Sequence, residues 1–306
     1  MNRRTFIRNT SLALATTPFG SLPLGALQSD EVFHLTILHT NDVHSRIDPF
    51  PMDGSRNEGQ GGIARRKVLI NQIRSEGQEC LLLDAGDIFQ GTPYFNLFGG
   101  ELEMKLMSEL GYDAATMGNH DFDAGIDGFD KQLVHADFPF VISNYQMNDT
   151  ILSGKTSDFK IWDYGDIKVG LFGLGIELKG LVPQSLYGNT QYLDPIEIAL
   201  TYESLLKNEH QCDYVICLSH LGYQYRGSKV SDVVIAQESN HIDLIIGGHT
   251  HTFMDEPHVE KNLQGRPVIV NQAGWGGILM GRIDLFFEKG SHRKAQKGTS
   301  LRVKST

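Results

Sequence analysis

The fold class is indicated most directly by the stretch Ala114-Ala115-Thr116-Met117-Gly118-Asn119-His120-Asp121-Phe122-Asp123, in which an apolar run passes straight into a polar block. Before it, Leu102, Leu106 and Leu110 recur at helical spacing up to Gly111, and this pattern predicts a helix that ends at the glycine. A helix followed by a short apolar strand and a polar loop is the repeating unit of α/β folds. The stretch therefore predicts an α/β protein with polar side chains after its strands.

The same alternation extends over most of the chain. The predicted strands are Phe33–His39, Cys80–Asp84, Ala114–Met117, Phe140–Ser143, Lys168–Gly173, Tyr214–Leu218, Leu244–Gly247, Val268–Asn271 and Arg282–Phe287. A further helix is predicted to start at Asp194, which can cap it, with Pro195 in its first turn, and to run to about Asn208. The stretch Asp48–Gly62 is rich in Pro, Gly, Asn and Asp and is predicted to be a long loop.

The composition fits a globular protein. The chain has 306 residues, of which 40% are hydrophobic and 9% aromatic, enough to build a sizeable core. It carries 37 acidic and 27 basic side chains and a formal charge of −10. A protein that coats nucleic acid is therefore disfavoured, because an acidic chain is not attracted to a phosphate backbone.

The three cysteines, Cys80, Cys212 and Cys217, are too few for a disulfide framework. Cys212 and Cys217 lie five residues apart in a predicted strand, roughly 16 Å from each other. A disulfide requires Cα atoms within about 7 Å, so these two do not bridge each other. We predict buried free thiols, with a bridge from Cys80 to either of the others left open.

Five polar blocks share one placement, directly after an apolar run. They are Asn41-Asp42-Val43-His44, Gly86-Asp87-Ile88-Phe89-Gln90-Gly91, Gly118-Asn119-His120-Asp121-Phe122-Asp123, Ser219-His220 and Gly247-Gly248-His249-Thr250-His251. Each block alone is explained by a turn, a helix cap or a half-buried histidine. Open α/β sheets bind ligands at the carboxyl ends of their strands. The coincidence of all five therefore favours one shared site.

The residue types in these blocks are metal ligands. Carboxylate, imidazole and amide oxygen together suit Zn, Mn, Fe or Co better than Ca or Cu(I). A pair of metal ions about 3.5–4 Å apart needs a bridging ligand, and a carboxylate has two oxygens for that purpose. Asp87, in the second block, is the candidate for the bridge.

Together with Gly61-Gly62-Ile63-Ala64-Arg65, the five blocks resemble the calcineurin-like metallophosphoesterases, and more closely the catalytic domain of the 5′-nucleotidase family, from about Phe33 to Glu288. The resemblance implies a four-layer α/β/β/α sandwich with a dinuclear site at the strand ends. It implies that one metal is held by Asp42, His44, Asp87 and His251, and the other by Asp87, Asn119, His220 and His249. Some family members carry glutamine where His251 stands, so that ligand is the least fixed.

The resemblance also implies a mechanism. Two cations make hydroxide available from a shared water near neutral pH and neutralise the phosphate oxygens. His120 resembles the family's catalytic histidine, which stabilises transition-state charge or protonates the leaving alkoxide. Asp123 is expected to orient His120 and to favour its protonated form.

The N-terminus differs from the rest of the chain, because its first 28 residues contain Arg3, Arg4 and Arg8 and no acidic residue. The arginine pair is followed by a weakly apolar run, Ser11–Leu27, broken by prolines and glycines. This order resembles a twin-arginine export signal. We therefore predict an export signal over residues 1–28, a metallophosphoesterase domain over 29–290 and a basic, partly ordered tail over 291–306, with a periplasmic or secreted location and no membrane anchor.

Members of the 5′-nucleotidase family usually carry a second, C-terminal domain that stacks the nucleobase, and this chain is expected to lack it. Phe89, Tyr94, Phe95 and Phe98 follow Asp87 closely and either line the cleft or belong to the core and rim. The favoured hypothesis is a stand-alone exported hydrolase of small phosphomonoesters, with nucleotides first and cyclic phosphodiesters as further candidates. The alternatives are a catalytic subunit that needs a separately encoded substrate-binding chain, and a sulfur-ester hydrolase.

Overall fold

The computed structural model describes residues 32–288 and 294–304, so the predicted export signal lies outside the described residues. The helices are α1 Ile63–Arg74, α2 Pro93–Phe98, α3 Glu101–Leu110, α4 Gly125–Leu133, α5 Gln184–Tyr187, α6 Pro195–Ser204 and α7 Asp232–Glu238. The strands are β1 Val32–Thr40, β2 Glu79–Asp84, β3 Ala114–Ala115, β4 Tyr145–Gln146, β5 Phe159–Asp163, β6 Lys168–Leu174, β7 Gln191–Tyr192, β8 Tyr214–Ser219, β9 Leu244–Gly247, β10 His258–Lys261, β11 Pro267–Asn271, β12 Leu279–Glu288 and β13 Lys294–Arg302.

Two mixed sheets form the centre of the protein. The first has five strands in the order β13-β12-β1-β2-β3, and the second has six in the order β10-β11-β9-β8-β6-β5. In the first sheet β1, β2 and β3 run parallel, and in the second β6, β8, β9 and β11 do. The parallel strands lie inside the second sheet, and in the first sheet they extend to the edge strand β3; helices and the partner sheet cover them on both faces, as parallel strands require.

Side-chain alternation along the strands produces four layers. Leu35 and Ile37 of β1 point between the two sheets, where they meet Ile216 of β8, whereas Leu38 faces the opposite way. On that outer side the first sheet packs against α1 and α3, and on the far side of the second sheet α6 and α7 cover Val215 and other outward residues. This arrangement confirms the predicted α/β/β/α sandwich.

Two helix boundaries predicted from the sequence are present in the structure. Helix α3 ends at Gly111, which adopts a left-handed φ of 72° that glycine tolerates without steric cost. Asp194 caps α6 by accepting hydrogen bonds from the backbone N–H of Ile196 and Glu197 at 2.8 and 3.0 Å. The helix continues as a π-helical turn over Leu205–Glu209, close to the predicted end.

The predicted strand Phe140–Ser143 is instead a connector between three segments. The backbone N–H groups of Val141, Ile142 and Ser143 donate in turn to Ala115, Ser157 and Gly173. Because successive residues bond to different segments, no two-strand ladder forms. This stretch links the edge of the first sheet to β6 of the second.

Residues 294–302, which the sequence analysis placed in a polar tail, form strand β13. It pairs antiparallel with β12 from Arg302 opposite Leu279 to Lys294 opposite Phe287. Its sequence lacks the apolar alternation of a buried strand, and the free edge of the long β12 supplies its hydrogen bonds. Cys80, Cys212 and Cys217 are free thiols in the described part of the chain, and no helix there is long and apolar enough to cross a membrane.

Candidate metal centre

The five polar blocks meet where the parallel strands of both sheets end. Asp42 and His44 follow β1, Asp87 follows β2 and Asn119 follows β3, all in the first sheet. His220 follows β8, and His249 and His251 follow β9 in the second sheet. The site therefore lies across the interface of the two sheets, as the strand-end placement predicts.

One group of candidate ligands consists of Asp42, His44 and His251. The Nε2 atoms of His44 and His251 are 3.0 Å apart, and His251 Nε2 lies 3.3 Å from Oδ1 of Asp42. His44 Nδ1 is 3.3 Å from the carbonyl oxygen of Phe89. A proton on Nδ1 that bonds to this carbonyl leaves the lone pair of Nε2 directed into the group, which is the orientation of a metal-binding histidine.

The second group consists of Asp87, His220 and His249. His220 Nε2 lies 3.1 Å from Asp87 Oδ2, and His249 Nδ1 is 2.8 Å from the amide oxygen of Asn119. His220 is completely buried, and its Nδ1 is 2.7 Å from the carbonyl oxygen of Ala85. Among the described residues, its Nε2 has no hydrogen-bond partner. A buried ring nitrogen without a hydrogen-bond partner is suited to bind a cation that the neighbouring Asp87 carboxylate also binds.

Asp87 lies between the two groups. Its Oδ2 is 3.1 Å from Nε2 of His220 and 3.8 Å from Nε2 of His44, while its Oδ1 accepts the backbone N–H of His120 at 2.8 Å. Burial alone would raise the pKa of Asp87, but the imidazoles of His220 and His44 outweigh it and the net pKa is lowered. The carboxylate is therefore held ionised and faces both groups.

The backbone at the site adopts an unusual conformation. Asp42, His44, Asp87, His249 and His251 have φ values of 50°, 52°, 56°, 70° and 52°. The left-handed region is uncommon for residues other than glycine, and such residues concentrate at functional sites. These turns direct the side chains back over the strand ends. The candidate ligands therefore come together through left-handed backbone turns as well as through the positions of the strands.

His120 and Asp123 form a pair beside the two groups. His120 Nδ1 lies 2.8 Å from Asp123 Oδ2, and the His120 ring centroid is 5.3 Å from that of His44. The hydrogen bond that His120 donates to the Asp123 carboxylate raises the pKa of His120 above its ordinary value, against the opposing effect of partial burial. The His120 side chain is 37% exposed, so it is open to a ligand bound over the two groups.

Similarity to known proteins extends over every candidate ligand. A family model described as calcineurin-like phosphoesterase matches residues 35–253. The chain belongs to this family. Its similarity to the 5′-nucleotidase branch is also clear, because a snake venom 5′-nucleotidase from Gloydius brevicauda is 35% identical over 277 residues, which cover 84% of this chain and 46% of that protein.

Two further relatives show the same similarity to 5′-nucleotidases. The 5′-nucleotidase of Bos taurus is 32% identical and covers 96% of this chain and 54% of its own length. The solved structure of a 5′-nucleotidase precursor from Thermus thermophilus superimposes with a TM-score of 0.78 at 31% identity, over 89% of this chain and 55% of its own. The chain thus spans about half the length of these relatives.

Asp121 is a buried residue beside the candidate metal centre, and its role was not predicted from the sequence. Its two carboxylate oxygens accept hydrogen bonds from the backbone N–H of Asp87 at 3.0 Å, Ile88 at 2.9 Å and Gly118 at 2.8 Å. Asp121 therefore fixes the loop that carries Asp87. A side chain added at Gly118 would overlap the Asp87 carboxylate, which explains why the block begins with glycine.

Asp232 and Gln272 support the other side of the site, and no motif identifies them. Asp232 accepts hydrogen bonds from Oγ of Ser219 at 2.5 Å and from Nε2 of Gln272 at 3.0 Å. Gln272 Nε2 also donates to the carbonyl of Gly248 at 2.8 Å, and its Oε1 accepts the backbone N–H of Thr252 at 3.1 Å. This buried network ties the end of β8 to the loop that carries His249 and His251.

The aromatic residues after Asp87 divide between core and rim. Phe89 is completely buried, and its ring lies 5.5 Å from the ring of Phe95 and 5.9 Å from that of Phe129. Phe98 is 48% exposed and stacks on Tyr94, whose hydroxyl donates to Asp48 at 2.6 Å. Phe89 therefore belongs to the core, whereas Tyr94 is half-buried and Phe98 lies at the surface.

Proposed function

We propose that this chain is a metal-dependent phosphohydrolase that releases phosphate from small phosphomonoesters, with nucleoside 5′-monophosphates as the first substrate class. The observation that carries the proposal is the position of Asp87 between two groups of ligands drawn from both sheets. A carboxylate facing two such groups is suited to a pair of divalent ions. The relatives named 5′-nucleotidase support the choice of substrate.

In this proposal Asp42, His44, Asp87 and His251 hold one ion, and Asp87, Asn119, His220 and His249 hold the other. The donor set suits Zn, Mn, Fe or Co. Such ions lower the pKa of a coordinated water and neutralise phosphate oxygens. The protein contributes rigidity: the two carboxylate oxygens of Asp42 accept the backbone N–H of His249, both at 3.0 Å, and hold the two loops together.

His120 supplies the proton in the proposed reaction, and Asp123 orients it. His120 is the partly exposed imidazole beside the two groups, and Asp123 holds its Nδ1 at 2.8 Å. With the proton on Nδ1 fixed by that carboxylate, Nε2 of the protonated ring is free to donate to the leaving alkoxide. Asp123 then acts as a positioning residue that fixes the orientation of the ring.

The proposed function predicts chelator-sensitive phosphate release. The purified chain is expected to hydrolyse AMP, to lose that activity after chelation, and to regain it when manganese or zinc is added back. Phosphate release from AMP, a 2′,3′-cyclic nucleotide and a sugar phosphate, with sulfate release from a sulfate ester, ranks the substrate classes. Activity that survives complete removal of the metal would contradict the proposal.

The same assay separates the alternative hypotheses. A chain with two metal ions bound and no turnover would favour a catalytic subunit that requires a separate substrate-binding chain. Selective hydrolysis of the sulfate ester would favour a sulfur-ester hydrolase. Preference for the cyclic nucleotide would favour phosphodiesters over monoesters.

We further propose that residues 1–28 direct export, on the evidence of Arg3 and Arg4 before an apolar run without acidic residues. Replacing both arginines by lysine keeps the charge but removes the pair. We expect the double variant to accumulate in the cytoplasm while the parent chain is recovered in the periplasmic or extracellular fraction. Equal distribution of the two chains after fractionation would refute twin-arginine export.

A further inference from the structure

A groove adjoins the candidate metal centre on the side of His251. It has a volume of about 390 Å³, and the residues on which its chemistry depends are Arg56, Gln60, Phe253, Asp255, Trp275 and Arg302. We call it the remote groove. It is built from the long loop between β1 and α1, the segment after His251, the turn between β11 and β12 and the end of β13, four separate parts of the chain.

The remote groove is separated from the candidate ligands by one aromatic ring. The Trp275 ring stacks on the ring of His251 with centroids 5.9 Å apart and planes 15° from parallel. Phe253, only two residues after His251, is 45% exposed. Trp275 is therefore the residue through which the groove contacts the candidate metal centre.

The charge of the groove is opposite to that of the protein as a whole. The chain carries a formal charge of −10, yet the residues that line the groove include two arginines, Arg56 and Arg302, and one carboxylate, Asp255. A neighbouring cavity of about 480 Å³ shares Arg302 and adds Arg65 and Lys304 against Glu58. This edge of the protein is therefore a local site of attraction for anions.

The two arginines of the groove differ in the hydrogen bonds that their guanidinium groups form. Arg302 donates a hydrogen bond to Oε1 of Gln60. The guanidinium of Arg56 forms no hydrogen bond with any residue in the ranges 32–288 and 294–304. Guanidinium groups bind phosphate in a two-pronged geometry, so Arg56 is available for an anion in the groove that Arg302 also lines.

We propose that the remote groove binds the part of the substrate beyond the scissile phosphate, and that it selects nucleotides with a second phosphate separated from the first by the sugar. This inference rests on the proposed function. The Trp275 ring stands between the groove and His251, so an anion bound by Arg56 and Arg302 is not adjacent to the scissile group. Phe253 and Trp275 offer apolar faces to the sugar or base, as aromatic side chains do for nucleotides.

The test compares adenosine 3′,5′-bisphosphate with AMP and glycerol phosphate in the parent chain and in an Arg56→Gln/Arg302→Gln double variant. We expect the ratio of kcat/KM for the bisphosphate to kcat/KM for AMP to fall roughly 10- to 100-fold in the variant, because each lost charge-assisted hydrogen bond weakens binding by about tenfold. Arg266→Gln is the matched control. Arg266 is an exposed arginine that hydrogen-bonds the carbonyl of Asn240, away from the groove.

A ratio that is unchanged in the double variant, or that falls equally in the Arg266→Gln control, would overturn the inference. Glycerol phosphate separates this outcome from failure of the proposed function, because it has no group that reaches the groove. Absence of glycerol phosphate and AMP turnover in the metal-loaded parent chain would contradict the proposed function itself.

A binding measurement tests the groove independently of turnover. The chain has two tryptophans, so a Trp162→Phe substitution leaves Trp275 as the only reporter. We expect adenosine 3′,5′-bisphosphate to change the fluorescence of Trp275 in the metal-free chain, with a midpoint roughly tenfold or more higher when Arg56 and Arg302 are replaced. Equal midpoints in the two chains would show that the arginines do not bind the second phosphate.

Discussion

An Asp87→Asn chain is expected to release no measurable phosphate and to bind metal much more weakly. Asp87 Oδ2 is the carboxylate oxygen that faces both His220 and His44, at 3.1 and 3.8 Å. Asparagine has nearly the same shape but no negative charge, so the pair of ions loses the charge that holds it. We expect a loss of metal affinity of roughly 100-fold or more, larger than the 10- to 100-fold typical of a supporting residue.

The measurements for this variant are the metal content per chain after dialysis and phosphate release at saturating metal. Asp149→Asn is a matched control, since Asp149 is an exposed aspartate outside the site. Far-ultraviolet circular dichroism establishes that both chains are folded. Full activity of Asp87→Asn would contradict the assignment of Asp87 as the shared ligand.

His120→Asn has a different expected result, because the chain should keep both metal ions and lose most of its rate. His120 belongs to neither group of candidate ligands, yet it is partly exposed beside them and paired with Asp123. Removing a general acid typically lowers the rate by about 10²- to 10⁴-fold. The kcat for AMP is expected to fall within this range.

The leaving group distinguishes proton donation from other roles of His120. A nitrophenolate leaves without a proton far more readily than an alkoxide, so hydrolysis of p-nitrophenyl phosphate should lose much less rate than hydrolysis of AMP. His135→Asn is the control, because His135 lies outside both groups of ligands and its side chain forms no hydrogen bond within the described residues. Loss of metal from His120→Asn, or an equal loss of rate on both substrates, would contradict the proposed role.

The strand and helix pattern was largely accessible from the sequence, because apolar runs and capping residues act over a few positions. Phe33–His39 and Tyr214–Leu218 are buried strands for this reason. Strand β13 could not be predicted in the same way, since its polar sequence depends on the free edge of β12. Phe140–Ser143 has the composition of a strand, but its hydrogen bonds are divided among three partners.

The residues of the candidate site also divide into those that the sequence predicts and those that only the structure reveals. Asp42, Asp87 and His220 were predicted because each follows a strand directly and belongs to a residue type that binds metals. Asp232 and Gln272 were not predicted, because neither lies in a recognisable motif and their importance comes only from contact with Ser219 and Gly248. The remote groove could not be predicted from the sequence either, since Arg56 and Arg302, which both line it, are far apart in the chain.

The sequence by itself determined the positions of the parallel strands of both sheets and which polar side chains follow them. The physical reason is that burial of apolar runs and the chemistry of ligand side chains are local properties. Only the tertiary structure decided that Asp42 holds the backbone of His249, 207 residues away, and that Asp87 faces both groups of histidines. Those contacts depend on two sheets packing face to face and on left-handed turns stabilised by the surrounding hydrogen bonds, and no short stretch of sequence specifies either.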